Sequence, residues 1–413
     1  MTSQLIENVR VRGAAEPVDV TVDGGRIVRI AATRAAEPCT RVLLPGFVDM
    51  HTHLREPGGE HAETIQTGTA AAAAGGYTDV FAMANTNPVT DTLGRVHAMR
   101  RLAERASARV HVVAAATVGQ QGREIVDVPT LRGAGVRMFS DDGRCVDDDG
   151  VALRVLEAVA EFGGVFAQHA QSATIVGSGV VNLPVAEIVG CAGWPGVGEE
   201  AIIARDIAIA RATGGRLHVC HVSTARSVDL IRWAKSIGAP VTAEVTPHHL
   251  TLFDTDAAER GPALKVNPPL RSAEDVRALR AALLDGTIDV IGTDHAPHPA
   301  ETKAGSWADA AFGMTAIETA LPVVAEVLTV GGRTDWTRLV EVMSARPAQI
   351  TGLAENSVEI GAAADFTVIE DAPGGRIDLD THLSRSANSP FSGFPATHRV
   401  ALTVLDGRVT YSR

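Results

Sequence analysis

Several things are scarce in this sequence, and each scarcity removes a class of protein. Four cysteines occur in 413 residues (Cys39, Cys145, Cys191 and Cys220), and no two of them form a C-x-x-C pair. That excludes a disulfide framework and fits a reducing, cytoplasmic setting. The stretch Met1–Arg12 has no apolar segment of the kind a secretory signal carries. No apolar run reaches the length of a membrane span. Basic charge is short as well. The formal net charge is −12 and no Lys/Arg cluster stands out, which argues against nucleic-acid or anionic-membrane partners. A small anionic substrate stays compatible, because a few local Arg and His side chains outweigh a global field. Aromatics make up 4% of the chain while Ala and Gly are abundant, which suits close packing more than an aromatic-lined groove. There is no G-x-G-x-x-G fingerprint of a dinucleotide site.

What is present is ordinary globular material, 45% hydrophobic and 21% charged, in a chain long enough for one large barrel and a smaller module. Val18–Val22 alternates, Asp23-Gly24-Gly25 offers a turn, and Arg26–Ile30 alternates again. The far end is alike: Asp365–Ile369 is strand-like, and Val400–Leu405, Asp406-Gly407 and Arg408–Tyr411 form a hairpin pattern. Between these ends lie eight short apolar runs: Phe47–Met50, Thr78–Met83, Val110–Ala115, Val136–Phe139, Val165–Ala167, Leu217–Cys220, Val241–Val245 and Ile288–Ile291. Helical segments separate most of them, such as Thr64–Ala74 before Gly75-Gly76 and Glu199–Thr213 before Gly214-Gly215. Eight β/α units predict an α/β fold, a (β/α)₈ TIM barrel over 46–355, with a small β-sandwich module built from both termini, 1–45 and 356–413.

The chemistry-bearing residues follow the strands. Asp49-Met-His51-Thr-His53-Leu-Arg55 comes after the first, Ser140-Asp141-Asp142-Gly143 after the fourth and Gln168-His169 after the fifth. His221 follows the sixth, and Thr293-Asp294-His295-Ala-Pro-His298 the eighth. Barrel active sites are assembled at the C-terminal ends of the strands, so these residues converge on one face. Side chains at i and i+2 of a strand point the same way, so His51 and His53 can share a cation. His51, His53, His169, His221 and Asp294 together suit Zn²⁺, or Co²⁺, Mn²⁺ or Fe²⁺. This is more donors than one ion needs, which suggests two ions bridged by Asp142 and sharing a hydroxide nucleophile, with Asp294 as general acid/base.

These residues resemble the amidohydrolase superfamily, and within it the bacterial class I dihydroorotases. The motifs that carry the resemblance are His51-Thr-His-Leu-Arg-Glu-Pro-Gly58, Ser140-Asp-Asp-Gly143, His221-Val-Ser-Thr224, Val266-Asn-Pro-Pro-Leu270 and Thr293-Asp-His-Ala-Pro-His298. The resemblance implies two Zn²⁺ held by His51, His53, Asp142, His169, His221 and Asp294, with Asp141 as the alternative bridge. It implies substrate contacts from His53, Arg55, Asn85, Asn267, His298, Phe312 and Gly313. The implied reaction is reversible hydrolysis of L-dihydroorotate to N-carbamoyl-L-aspartate in pyrimidine synthesis. The implied partners are that small substrate, with aspartate carbamoyltransferase and a homo-oligomer left open. The competing readings are a dihydropyrimidinase, hydantoinase or allantoinase, or a non-catalytic partner of the carbamoyltransferase. The sibling enzymes bridge their metals with a carboxylated lysine after the fourth strand, whereas Val136–Asp142 has none; Lys235, Lys265 and Lys303 lie elsewhere.

Two departures from the family pattern stand out. Met83-Ala-Asn-Thr86 lacks the usual proline, which predicts a softer loop around Asn85. Ala170-Gln-Ser172 lacks the usual acidic residue after His169, which predicts different support for that ligand. His248, His249 and His295 read as structural or supporting, and His61, His97 and His111 as ordinary. Cys145 and Cys220 read as buried thiols. The polar Glu301–Asp309 stretch reads as a candidate lid.

Overall fold

The first barrel strand, Phe47–Thr52, is buried at every residue, as a strand covered on both faces must be. It pairs in parallel with Tyr77–Ala82, which pairs with Arg109–Val112. A second parallel run holds Met138–Phe139, Val165–Gln168, Leu217–Val219, Val241–Val245 and Val290–Ile291 in that order. Single parallel bridges, Ala114 to Phe139 and Thr52 to His295, join the two runs at both sides. The eight strands therefore close into a barrel, with the predicted strands in the predicted order. The structure, a computed structural model, describes residues 3–413; Met1 and Thr2, part of the stretch read for a secretory signal, lie outside the described residues.

The barrel interior is filled by Val48, Met50, Phe81, Met83, Val113, Met138, Val165 and Val290, all nearly inaccessible. Helices cover the outside. Thr64 caps Ile65–Ala74 by accepting a hydrogen bond from the Thr67 amide. The two glycines after that helix do different work. Gly75 keeps a right-handed φ of −82°, but a Cβ there would lie 2.2 Å from the Ile317 carbonyl. Gly76, at φ +89°, makes the turn into the next strand. Val197–Thr213 begins two residues earlier than predicted and stops at left-handed Gly214.

The terminal module is one seven-stranded ladder. Its order is Arg408–Ser412, His398–Leu405, Phe366–Asp371, Arg41–Pro45, Gln4–Val11, Val18–Asp23 and Arg26–Ala32. Gln4–Val11 pairs antiparallel with Val18–Asp23 through most of its length and parallel with Arg41–Pro45 at Arg10–Val11. The ladder changes partners there and wraps a core of Ile6, Val20, Val22, Ile27, Phe366, Val368 and Val404. Gly46 alone separates this sheet from the first barrel strand, and a side chain there would strike Thr78. Among the described residues, no helix is long and apolar enough to cross a membrane.

Candidate metal centre and substrate pocket

His51 and His53 leave the first strand with their Nε2 atoms facing two carboxylates. Asp142 Oδ2 lies 3.3 Å from each Nε2, and Asp294 Oδ1 lies 3.5 Å from His51 Nε2 and 2.9 Å from His53 Nε2. The other oxygen of Asp142 faces a second pair. Asp142 Oδ1 lies 3.2 Å from His169 Nδ1 and 3.3 Å from His221 Nε2, and these two nitrogens are 2.9 Å apart. One carboxylate thus stands between two donor sets. Asp141 stands apart from both sets: it accepts hydrogen bonds from the amides of Ala116 and Thr117 and from the Thr117 hydroxyl.

The outer ring nitrogens settle which lone pairs point inward. His51 Nδ1–H donates to Glu244 Oε1 at 2.5 Å, His53 Nδ1–H to Asn85 Oδ1 at 2.9 Å and His169 Nε2–H to Gln171 Oε1 at 2.8 Å. In that tautomer three imidazoles turn lone-pair nitrogens towards carboxylate oxygens, an arrangement that calls for a proton or a metal cation between them. His51 Nε2 is buried and has no hydrogen-bond partner. Candidate donor atoms of His51, His53 and Asp294 all lie within 4.8 Å of one another, as do those of His51, Asp142 and His221. This donor set fits divalent zinc or a neighbour in the first transition row.

The electrostatics agree. Burial opposes charge on His51, yet Asp142, Glu244 and Asp294 hold its imidazole well above the usual range. Burial likewise opposes ionisation of Asp142, but His51, with hydrogen bonds from His169 and His221, holds it well below the carboxylate range. Backbone strain gathers at the same place: Arg55, His221 and Asp294 have φ of +61°, +31° and +46°.

Above this cluster lies a cavity of about 180 Å³ lined by His53, Arg55, Asn85, Asp142, Gly143, His169, His221, Asn267, Asp294, Ala296, His298, Phe312 and Gly313. It brings together every residue given a metal or substrate role in the sequence except His51 and the alternative bridge Asp141. Arg55 is anchored through Nε to the Pro297 carbonyl at 3.1 Å. His298 Nε2 sits 2.7 Å from the Phe312 carbonyl and 3.1 Å from Arg55 Nη2. Burial, with Arg55 beside it, pushes His298 down to about 3, so its ring is neutral. Its Nε2–H then donates to Phe312, leaving the outer Arg55 N–H groups free to meet a ligand. Asn267 donates to Gln171 Oε1, and its own buried Oδ1 has no partner. Gly313 sits at φ +129° with Ala296 where a Cβ would go, so only glycine forms this part of the wall.

Both sequence departures acquire a physical account. Without its proline, the Asn85 loop is held instead by Thr86, whose amide donates to Ala84 O and whose hydroxyl donates to Pro88 O. The support expected from an acidic residue after His169 comes from the Gln171 amide, which also ties that ligand to Asn267.

Sequence reasoning passed over Glu244, which grips His51 Nδ1, the His221 amide and His218. The available signal was a single carboxylate inside the apolar strand Val241–Val245. Asn388 was also passed over; it reaches the pocket rim and bonds Ala296, His298 and Gly313. His249 is fixed between Thr246 and the Pro268 carbonyl, a supporting role as expected. Burial pushes the Cys145 thiol up to about 12 and Cys220 higher still, so both stay protonated.

A closed eight-stranded barrel whose strand ends gather imidazoles and carboxylates around one aspartate suits metal-assisted hydrolysis, and its relatives narrow that class to the cyclic amidohydrolases. Solved structures of that class share the fold. The L-hydantoinase (dihydropyrimidinase) of Arthrobacter aurescens superposes with a TM-score of 0.84 at 28% identity, over 99% of this chain and 96% of that one. The dihydropyrimidinase of Brevibacillus agri gives 0.85 at 22% identity, over 100% and 95%, a likeness of fold alone. Sequence is more specific. Residues 40–227 match the dihydro-orotase-like family model. The dihydroorotase of Streptomyces coelicolor is 46% identical over 99% of this chain and 98% of its own length. Those of Leifsonia xyli subsp. xyli and Mycobacterium tuberculosis are 47% identical (95% and 94% covered) and 45% identical (99% and 98% covered). The chain belongs to the dihydroorotase family.

Proposed function

We propose that this chain interconverts L-dihydroorotate and N-carbamoyl-L-aspartate at the cavity above Asp142. The observation that carries the reading is the division of Asp142: Oδ2 faces His51, His53 and Asp294, and Oδ1 faces His169 and His221. These six residues are the proposed ligands of two zinc ions. Bound there, zinc would lower the pKa of water and polarise a ring carbonyl. The chain's own residues do the rest. Arg55 offers a charge-assisted fork to the substrate carboxylate, with the Asn85 amide N–H beside it. The unpartnered Asn267 Oδ1 accepts a ring N–H. The Phe312–Gly313 backbone closes the far wall. Asp294 takes a proton from the attacking water and returns one to the ring nitrogen as the amide bond opens.

A substrate panel tests this reading. The protein is expected to open L-dihydroorotate in strong preference to 5,6-dihydrouracil, which has the same ring without the carboxylate. Arg55→Met is expected to erase most of that preference. Equal turnover of the two rings by the unaltered protein would move the assignment to a hydantoinase-type enzyme, the activity named for the solved structures above.

A further inference from the structure

Two of the chain's three lysines, Lys265 and Lys303, are buried, stand side by side and have no part in the chemistry above. Lys303 ends the short helix Ala300–Lys303. Its Nζ donates to three main-chain carbonyls: Lys265 at 2.8 Å, Ala311 at 2.8 Å and Gly313 at 2.9 Å. Lys265 works from the opposite side. Its Nζ donates to the carbonyls of Trp307 at 2.5 Å and Ala308 at 3.1 Å, and it stands 4.3 Å from the centre of the Phe312 ring. The Gly313 amide closes the circuit by donating to the Lys265 carbonyl at 3.0 Å.

An ammonium has three N–H donors, and Lys303 uses all three on backbone oxygens of two segments. No carboxylate pairs with it among the described residues. Burial, with Lys265 alongside, pushes its amine down to about 7, so it is the three carbonyl acceptors that favour the charged form there. What it joins is the segment carrying Phe312 and Gly313 to the segment carrying Asn267, the two halves of one pocket wall. Trp307 anchors the middle of the loop in an apolar cluster with Leu264 and Val266. Lys265 holds that same middle through the Trp307 and Ala308 carbonyls, and Lys303 ties the start of the loop to its end at Ala311 and Gly313.

We propose that Lys303, seconded by Lys265, is a positioning residue that clasps the 304–313 loop over the pocket and sets the wall formed by Asn267, Phe312 and Gly313. The proposal rests on the reading of that wall as the substrate's. Loss of the clasp weakens substrate binding and leaves the ligand cluster alone, because neither lysine touches it.

The test is Lys303→Met, Lys265→Met and the double variant, measured by steady-state kinetics on L-dihydroorotate, metal content and amide hydrogen exchange across 304–313. The expected result for Lys303→Met is a KM raised about tenfold, kcat within about threefold, unchanged metal content and faster exchange confined to that loop. Lys265→Met is expected to act in the same direction, and the double variant to be less than additive, since both lysines secure one element. Lys303→Arg, which keeps donors and charge, should recover part of the loop's protection. Unaltered exchange and KM in both single variants would overturn the proposal. So would a fall in kcat accompanied by metal loss. The exchange measurement needs no turnover, so the clasp is tested even if the unaltered protein fails to open dihydroorotate.

Discussion

Asp142 and Asp141 are adjacent, identical in chemistry and opposite in role. Sequence alone admitted both as the bridge; what separates them is the pair of backbone amides at Ala116 and Thr117 that captures Asp141. Asp142→Asn keeps the volume and removes the charge, so metal bound per chain is expected to drop by about one ion. Full metal content in that variant would show that the bridge lies elsewhere. Glu244 was passed over for a different reason: a mid-strand carboxylate carries no motif, and its importance lies in contacts with His51, His218 and the His221 amide that only the fold brings together. Burial opposes its charge, yet His51 and His218 hold it well below the carboxylate range. Glu244→Gln is expected to lower metal affinity about 10- to 100-fold with the fold retained, read by metal titration; an unchanged affinity would deny it this role. His248 is buried with both ring nitrogens unpartnered, and burial pushes it down to about 4. The unfolded chain therefore binds this proton more readily than the folded one, so stability is lost as pH falls from about 6.5 towards 4. Urea unfolding of metal-free protein should show that loss, and His248→Phe should make it shallower.

At the level of strands and helices, the periodicity carried nearly all the information. Every barrel strand fell where an apolar run predicted it, because a strand buried on both faces must be apolar throughout. The fourth and eighth strands proved shorter than their runs, at Met138–Phe139 and Val290–Ile291. In both, the buried side chains of Val136 and Ile288 come before the point where the backbone ladder begins, and pattern reports only the side chains. Packing between neighbouring strands left no such trace. Gly292, just past the eighth strand, is open to the Glu244 carboxylate; a Cβ there would come within 2.3 Å of Oε2. Gly292→Ala should therefore displace Glu244 and weaken metal binding without altering a ligand. Metal affinity equal to that of the unaltered protein would show that the carboxylate can shift without releasing His51.

Across the whole molecule, the two ends of the chain build a sheet, and part of the C-terminal stretch also reaches the working face of the barrel. Ser386 donates to the Ala62 carbonyl at 2.7 Å, and Asn388 spans Ala296 and Gly313 at 3.0 and 3.2 Å while accepting from the His298 amide. This stretch lies inside the 356–413 segment assigned to the terminal module, yet its side chains brace the pocket rim. No local pattern signals such a contact, because it joins residues about ninety positions apart through backbone groups. Asn388→Ala is expected to raise KM several-fold with metal content intact. The barrel, its site and this brace converge on the proposal put forward above, in which the residues around Asp142 would hold a metal pair to support opening of the dihydroorotate ring. The most direct test is an assay of purified, metal-replete protein on L-dihydroorotate with metal counted on the same sample. Ring opening with about two ions per chain is the predicted result. Protein that holds its metal yet leaves dihydroorotate intact while opening an uncharged cyclic amide would contradict it.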